Sequence, residues 1–447
     1  MSLKSFNLKI SHKILSFKKN ISVDPDKSLS IRSFLIGAIS NNISTINNVL
    51  ESEDVFSTIK CLKKLKVKIK KKGPKKYLVF GKGLGSLAAK KNIKLNFGNS
   101  GTLARLLIGI LSTTPNVTIK VLGDKSLNKR SMKKLIKLME MFGASFLPKN
   151  KFNFPLKIVS SKIPIGIEYK AGVSAQLKSA VIFAGLNSWG DTEIIEKEKS
   201  RDHTENMLLK NQSVIKIQNG KERIIKISGK KYLKSSSVSI SGDPSSAAFF
   251  SALTILNPMS SLEIKKTGLN STRTGFYKLL QKHGAKIKFK NLKKNNNEIS
   301  GDIIIKSSKI KPLFASRKFY VNSTDEYPIL FVIAALTKGC SKFYGIKDLA
   351  NKESNRILEM QKVLNQIGIK SIASRNEFKI FGKGMVNYKD RKIKVPDLGD
   401  HRICMATFIL AILTGAKTTI KSFETVNTST PSFLKIMKKL GAKFEIQ

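Results

Sequence analysis

Six short stretches concentrate residue types that bind anions and move protons. DKSLSIR (26–32) sets Lys27, Ser28 and Arg32 at the mouth of the apolar run FLIGAI. GNSGTLAR (98–105) is rich in glycine, so its backbone can approach a ligand closely, and it ends in Arg105. GVSAQ (172–176), SGDPSS (241–246), TDEYP (324–328) and GDHR (399–402) repeat the design of a polar entrance before an apolar segment. A helix N-terminus exposes unpaired N–H groups and the positive end of the helix dipole. Ammonium, hydroxyl and guanidinium groups added there make a site for phosphate or carboxylate. Ordinary capping needs only one Ser or Asp per helix. SGDPSS has no cation of its own and reads as such a cap. Lys27, Arg105 and Arg402 exceed what capping needs, and converging entrances would form an anion-selective cleft.

The elements behind these entrances form a repeat. FLIGAI (34–39), LARLLIGIL (103–111), AQLKSAVIFAGL (175–186), SAAFFSALTIL (246–256), PILFVIAAL (328–336) and ICMATFILAI (403–412) read as inner helices, buried on nearly all sides. A second set is amphipathic. SMKKLIKLMEMFGASF (131–146), TRTGFYKLLQKHGAKI (272–287), SNRILEMQKVLNQIGIKS (354–371) and TPSFLKIMKKLGAKF (430–444) each end a helix at a glycine and run into a strand. The glycine serves as a left-handed cap. DVFSTIKCLKKLKVKI (54–69) and HTENMLLKNQSVIKI (203–217) are degenerate copies, and KKNNNEISG (293–301) reads as a hairpin tip. Six units in 447 residues, too many for one core, predict two domains of three units.

The formal net charge of +52 raises a nucleic-acid-binding alternative. The lysines are spread along the whole chain, however, with no confined basic stripe. The site motifs contain almost no Tyr or Phe to interleave with bases, and there is a single Trp. Of 82 basic residues only eleven are Arg. In a chain that writes Lys by default, each Arg points to a position needing a planar, two-pronged donor. Cys61, Cys340 and Cys404 are far apart, so neither a disulfide framework nor a zinc site is expected. No apolar run approaches the ~18 residues of a membrane span. With no secretory h-region at the N-terminus, a cytoplasmic protein is expected.

DKSLSIR, GNSGTLAR, GDKSLNKRSM, SAQLKSA, SRDHTE, SGDPSSA, DEYP, KESNRI and GDHRICMA occur in order from position 26 to 406. In this series the chain resembles the EPSP synthase family, and SAQLKSA and SRDHTE resemble its bacterial branch. The resemblance implies an α/β fold of two inverse-barrel-like domains, each with three βαβαββ units around buried helices. It also implies that the N-terminal strand joins the second domain. The expected domains are therefore 22–240 and 1–21 plus 241–447, with the active site in the cleft between them. The implied reaction joins phosphoenolpyruvate to the 5-hydroxyl of 3-phosphoshikimate and releases phosphate, in aromatic amino-acid biosynthesis. No cofactor and no metal is implied. The expected partners are the two small substrates, with no nucleic acid and no membrane, and the expected state is a monomer.

The resemblance carries residue roles as well. Lys27, Ser28, Arg32, Ser174, Ala175, Gln176, Arg201, Asp325 and Lys352 are implied to hold 3-phosphoshikimate. Lys27, Asn99, Gly101, Arg130, Gln176, Arg356 and Arg402 are implied to hold phosphoenolpyruvate. Asp325 matches the acid–base group at the substrate hydroxyl, and Glu353 the proton donor to the methylene carbon. Lys27 and His401 complete the implied catalytic set. Glyphosate is implied to occupy the phosphoenolpyruvate site, where Gly101 marks a sensitive enzyme. The chain departs from the pattern at Pro25, Ile31 and Ser131. A sister enzyme with the same fold transfers enolpyruvate to UDP-N-acetylglucosamine by way of a loop cysteine, and between Arg105 and Arg130 this chain has none.

Overall fold

The helix–strand rhythm of the sequence is realised as six four-stranded sheets in the computed structural model, which describes residues 5–88 and 93–447. One sheet shows the rule. Strand Lys94–Asn96 leads into inner helix Gly101–Thr113, which returns to strand Thr118–Leu122; outer helix Lys133–Met141 then leads to strands Ser145–Leu147 and Leu156–Val159. The first two strands are parallel and the other pairs antiparallel. A parallel pair needs a crossover, and the apolar helix supplies it. The polar entrance therefore lies at the end of the first strand in each unit.

Three sheets borrow a strand from a distant part of the chain. Strand Ile43–Asn47 takes Ser237–Ser239 as its parallel neighbour. Strand Lys18–Ser22 runs parallel to Ser261–Gly268, and Leu8–Ile10 lies between Lys417–Ile420 and Glu445–Ile446. The chain divides into one unit running up to Asp24 and continuing through Gly242–Lys293 and Ile299–Gln447, and a second of Pro25–Ser241 with Lys294–Glu298. Each has its own apolar core.

All six inner helices form: Lys27–Ile39, Gly101–Thr113, Ala175–Leu186, Pro244–Leu256, Tyr327–Ala335 and His401–Thr414. Their residues are almost all buried. The outer helices end as the glycines require: Gly143, Gly284, Gly368 and Gly441 all have positive φ. In the degenerate copy at 54–69 no glycine is available. There Lys66 takes the left-handed conformation at φ 65, with its N–H on the Lys63 carbonyl. The tip at 293–301 is a hairpin turning on Asn296 and Asn297, both left-handed. Among the described residues no helix is long and apolar enough to cross a membrane.

Candidate active site

In the unit Pro25–Ser241, helix entrances bring cations and amides together. Asp26 caps its helix through the Leu29 N–H at 2.8 Å, which leaves Lys27 as the first helical residue. The Lys27 ammonium lies 3.0 Å from Asp54, a carboxylate from the first turn of outer helix Glu53–Lys64. Arg32, one turn further on, is buried, and its guanidinium is oriented on three sides. Nε donates to Thr204 Oγ1 at 2.8 Å, Nη2 to Ser179 Oγ at 3.1 Å and Nη1 to the Ser28 carbonyl at 3.2 Å. Arg201 stands just before helix His203–Leu208, which carries Thr204. Ser174 caps the third inner helix through the Leu177 N–H at 3.4 Å. That bond uses an oxygen lone pair, so the hydroxyl proton remains available to an anion. Ala175 opens the same helix, where backbone N–H groups lack helical partners.

The second cluster of this unit gathers around Gly101. Arg105 Nη1 donates to Gln176 Oε1 at 2.8 Å and to the Gly101 carbonyl at 3.2 Å. Gln176 Nε2 reaches Thr102 Oγ1 at 3.0 Å, and Arg130 Nη2 bonds Asn99 and, at 3.3 Å, Ser126. A methyl built on Gly101 meets Arg105 Nη1 at 2.8 Å and Arg130 Nη1 at 3.1 Å. The expected phosphoenolpyruvate ligands Asn99, Gly101, Arg130 and Gln176 thus share one patch of two guanidiniums over a glycine. Arg105, to which the resemblance assigned no role, belongs to it.

The other unit has a carboxylate–arginine centre of its own. Arg356 is only 1 % exposed and faces three acids. Nε lies 2.9 Å from Asp400 Oδ2, Nη2 2.6 Å from Glu353 Oε2, and Nη1 3.7 Å from Asp325 Oδ1. Burial alone would weaken the guanidinium's hold on its proton, but Asp400 and Glu353 outweigh it and raise its pKa above the ordinary value. Asp400 also caps the last inner helix through the Arg402 N–H at 2.9 Å, fixing His401 and Arg402 as its first residues. The Arg402 guanidinium stacks 5.7 Å from the Phe249 ring centre. It is buried, and its Nε and Nη1 have no hydrogen-bond partner among the described residues. An unsatisfied buried cation is costly unless an anion neutralises it. Lys352 Nζ rests on Asp348 at 3.1 Å.

SGDPSS, which reads in the sequence as a cap without a cation of its own, meets one in the fold. Asp243 does cap the fourth inner helix, through the Ser245 N–H. Buried Arg273, thirty residues downstream in the turn before helix Gly275–Lys282, reaches Asp243 at 3.1 Å and Ser245 Oγ at 2.8 Å, and Ser245 in turn bonds Glu326. Local spacing could not reveal it, although the scarcity of arginine was a usable signal. Asp54 and Asp400, the anchors of Lys27 and Arg356, were also missed as anchors. Each is an acid in or beside a first helical turn and looks like ordinary capping. Among the described residues no group of three or more His, Cys, Asp or Glu could hold a metal ion.

Comparison with known proteins gives these clusters a family. The model of EPSP synthase (3-phosphoshikimate 1-carboxyvinyltransferase) matches residues 12–437. A 3-phosphoshikimate 1-carboxyvinyltransferase of Paramagnetospirillum magneticum is 34% identical over 424 residues, 94% of each chain. One from Thermodesulfovibrio yellowstonii is 36% identical over 441 residues, 97% of this chain and 99% of the relative. The EPSP synthase of Acinetobacter baumannii superposes with TM-score 0.84 at 31% identity, over 99% of this chain and all of that one. The enolpyruvyl transferase NikO of Streptomyces tendae, 13% identical with TM-score 0.74 over 99% of both chains, shares the fold. The chain belongs to the EPSP synthase family.

Proposed function

We propose that this protein transfers the enolpyruvyl group of phosphoenolpyruvate to the 5-hydroxyl of 3-phosphoshikimate and releases phosphate. The observation that carries the reading is the presence of two anion-binding clusters in one unit and a carboxylate–arginine centre in the other, all built from the family's motifs. Both substrates are polyanions. Arg32, Ser28, Ser174, Ala175, Gln176 and Arg201 are assigned to the phosphate and hydroxyls of 3-phosphoshikimate. Arg130, with Asn99 and the backbone of Gly101, is assigned to phosphoenolpyruvate, together with Arg356 and the unsatisfied Arg402. Forked donors suit a carboxylate and a phosphate. Lys27 and Lys352 hold substrate oxygens in this reading, each by exchanging an acidic partner for the ligand.

The chemistry sets the remaining roles. Carbon 2 of phosphoenolpyruvate becomes electrophilic when the methylene carbon takes a proton, and the 5-hydroxyl must lose one as its oxygen bonds to that carbon. Loss of a methyl proton and expulsion of phosphate then restore the double bond. Each transfer needs a general acid or base at the reacting atom, and carboxyl groups can serve. Asp325 serves the hydroxyl and Glu353 the methylene carbon, and both are ordered by Arg356. His401 opens the helix that carries Arg402 and completes the set. In this reading the enzyme acts as a cytoplasmic monomer on two small substrates.

The test is a coupled assay of phosphate release with phosphoenolpyruvate and either 3-phosphoshikimate or UDP-N-acetylglucosamine. Turnover with the first acceptor alone is the expected result. Turnover with the second, or with neither, overturns the reading.

A further inference from the structure

SAQLKSA and SRDHTE contain residues that the reaction leaves without a role: Lys178, Ser179, Thr204 and Glu205. They form two adjacent cross-links between the third inner helix and helix His203–Leu208. Lys178, fully buried, places its ammonium 2.6 Å from Glu205 and 2.8 Å from Glu196. Arg223, on strand Arg223–Ser228, reaches Glu196 at 2.5 Å and Glu205 at 3.3 Å. Two cations and two carboxylates make a neutral quartet, buried except for the edge of Arg223. Burial alone would raise the Glu196 carboxyl, yet the Lys178 ammonium outweighs it and holds it below its usual value.

One residue along on each helix, Ser179 Oγ and Thr204 Oγ1 lie 2.8 Å apart, and both accept from the Arg32 guanidinium. The hydroxyl pair is therefore spaced by the ion pair beside it. A buried quartet is poor value for stability alone, since apolar side chains of the same volume often serve as well. What it provides is a fixed separation of the two helices.

We propose that Thr204 and the quartet Lys178, Glu196, Glu205 and Arg223 are positioning residues that set Arg32 for 3-phosphoshikimate. The proposal rests on the assignment of Arg32 to that substrate. With Thr204 and Ser179 in place, the fork is held before the ligand arrives, so little ordering is left to binding.

The experiment is steady-state kinetics in both substrates, with thermal unfolding, on Thr204→Val, Thr204→Ser, Glu205→Gln and Arg32→Ala. Thr204→Val should raise KM for 3-phosphoshikimate about tenfold, the effect of one hydrogen bond to a charged group. The KM for phosphoenolpyruvate and kcat should stay within about twofold, and Thr204→Ser, which keeps the hydroxyl, should restore the KM. Glu205→Gln should shift the same KM if it folds. An unchanged KM for 3-phosphoshikimate in Thr204→Val overturns the proposal, as does an equal rise for both substrates with a lowered melting temperature. If Arg32→Ala leaves that KM unchanged, the assignment of Arg32 itself fails. If Arg32→Ala raises it and Thr204→Val does not, only the positioning claim fails.

Discussion

Arg356 shares the Asp400 carboxylate with a second arginine, Arg402. Asp400 Oδ2 takes the Arg356 Nε at 2.9 Å, while Oδ1 takes the Arg402 backbone N–H at 2.9 Å. One buried acid thus holds the Arg356 guanidinium and the backbone from which Arg402 projects. Removing one member of a buried pair costs about 3–5 kcal/mol, because the other charge is left uncompensated. Glu353 and Asp325 still face Arg356, so Asp400→Asn should fall at the low end of that range. It should raise KM for phosphoenolpyruvate about tenfold, equivalent to ~1.4 kcal/mol, and leave KM for 3-phosphoshikimate nearly unchanged. Chemical unfolding and substrate titrations of the variant check both. A variant with normal stability and affinity would remove Asp400 from this role.

Asp325 lies 3.7 Å from Arg356, and part of its side chain is exposed. A group that exchanges protons with a substrate hydroxyl needs that access. Asp325→Ala should therefore lower kcat by about 10²–10⁴-fold, the usual loss for a general acid–base group, with unfolding behaviour unchanged. Retention of more than half of the wild-type turnover would take Asp325 out of the mechanism.

Much of this architecture was legible because the repeat is written twice, once in apolar helices and once in glycine caps. The inner helices are apolar on all sides, so their burial could be read without knowing their partners. The scarcity of arginine also pointed further than the motifs. Eight of the eleven fall in the clusters described above, including Arg223 and Arg273, which no motif marked. The other three, Arg317, Arg375 and Arg391, are exposed. What stayed hidden was pairing across sequence distance. Lys27 with Asp54, Arg32 with Thr204 and Arg273 with Ser245 are joined by the fold, and neither helical nor strand periodicity encodes such contacts.

Lys66 illustrates a local cost that the fold overrides. Its φ of 65 occupies a region where a side chain meets the following carbonyl, and it does so at the end of helix Glu53–Lys64, where sister repeats use glycine. Lys66→Gly should stabilise the protein by about 1 kcal/mol, the size of the left-handed penalty less the extra entropy of glycine. Urea unfolding would show a higher midpoint with an unchanged slope. A lower midpoint would mean that the lysine stem contributes more than its backbone costs.

The thiols separate this enzyme from its sister. Burial pushes the Cys61 thiol up to about 12 despite nearby Lys64, and burial, with Asp400 next, also raises Cys404. Thiolate is the reactive form, so neither should react in the native state at pH 8. Cys340, half-buried, is the site a small thiol reagent should reach first. Activity should survive its modification. Inactivation in step with thiol loss, and protection by phosphoenolpyruvate, would point to the cysteine-dependent chemistry of the sister enzyme instead.

Space over Gly101 is tight in the proposed phosphoenolpyruvate site. An added methyl would sit 2.8 Å from Arg105 Nη1 and 3.1 Å from Arg130 Nη1, both the far ends of flexible side chains rather than backbone. The fold should therefore tolerate Gly101→Ala with little change in melting temperature. Binding should not, because those guanidiniums are held by Gln176 and Asn99 and must move to make room. Phosphoenolpyruvate is short and can follow a displaced fork, so its KM should rise only severalfold. Glyphosate is longer and spans more of the site. For it the intrusion should cost on the order of 1–3 kcal/mol, or roughly ten- to a hundredfold in affinity. The wild type, with glycine at this position, should be inhibited by glyphosate in competition with phosphoenolpyruvate. The measurement is the glyphosate inhibition constant and the phosphoenolpyruvate KM in both proteins. Equal shifts would mean that the methyl acts only through the arginines and does not distinguish the ligands, and a wild type indifferent to millimolar glyphosate would end the sensitivity claim.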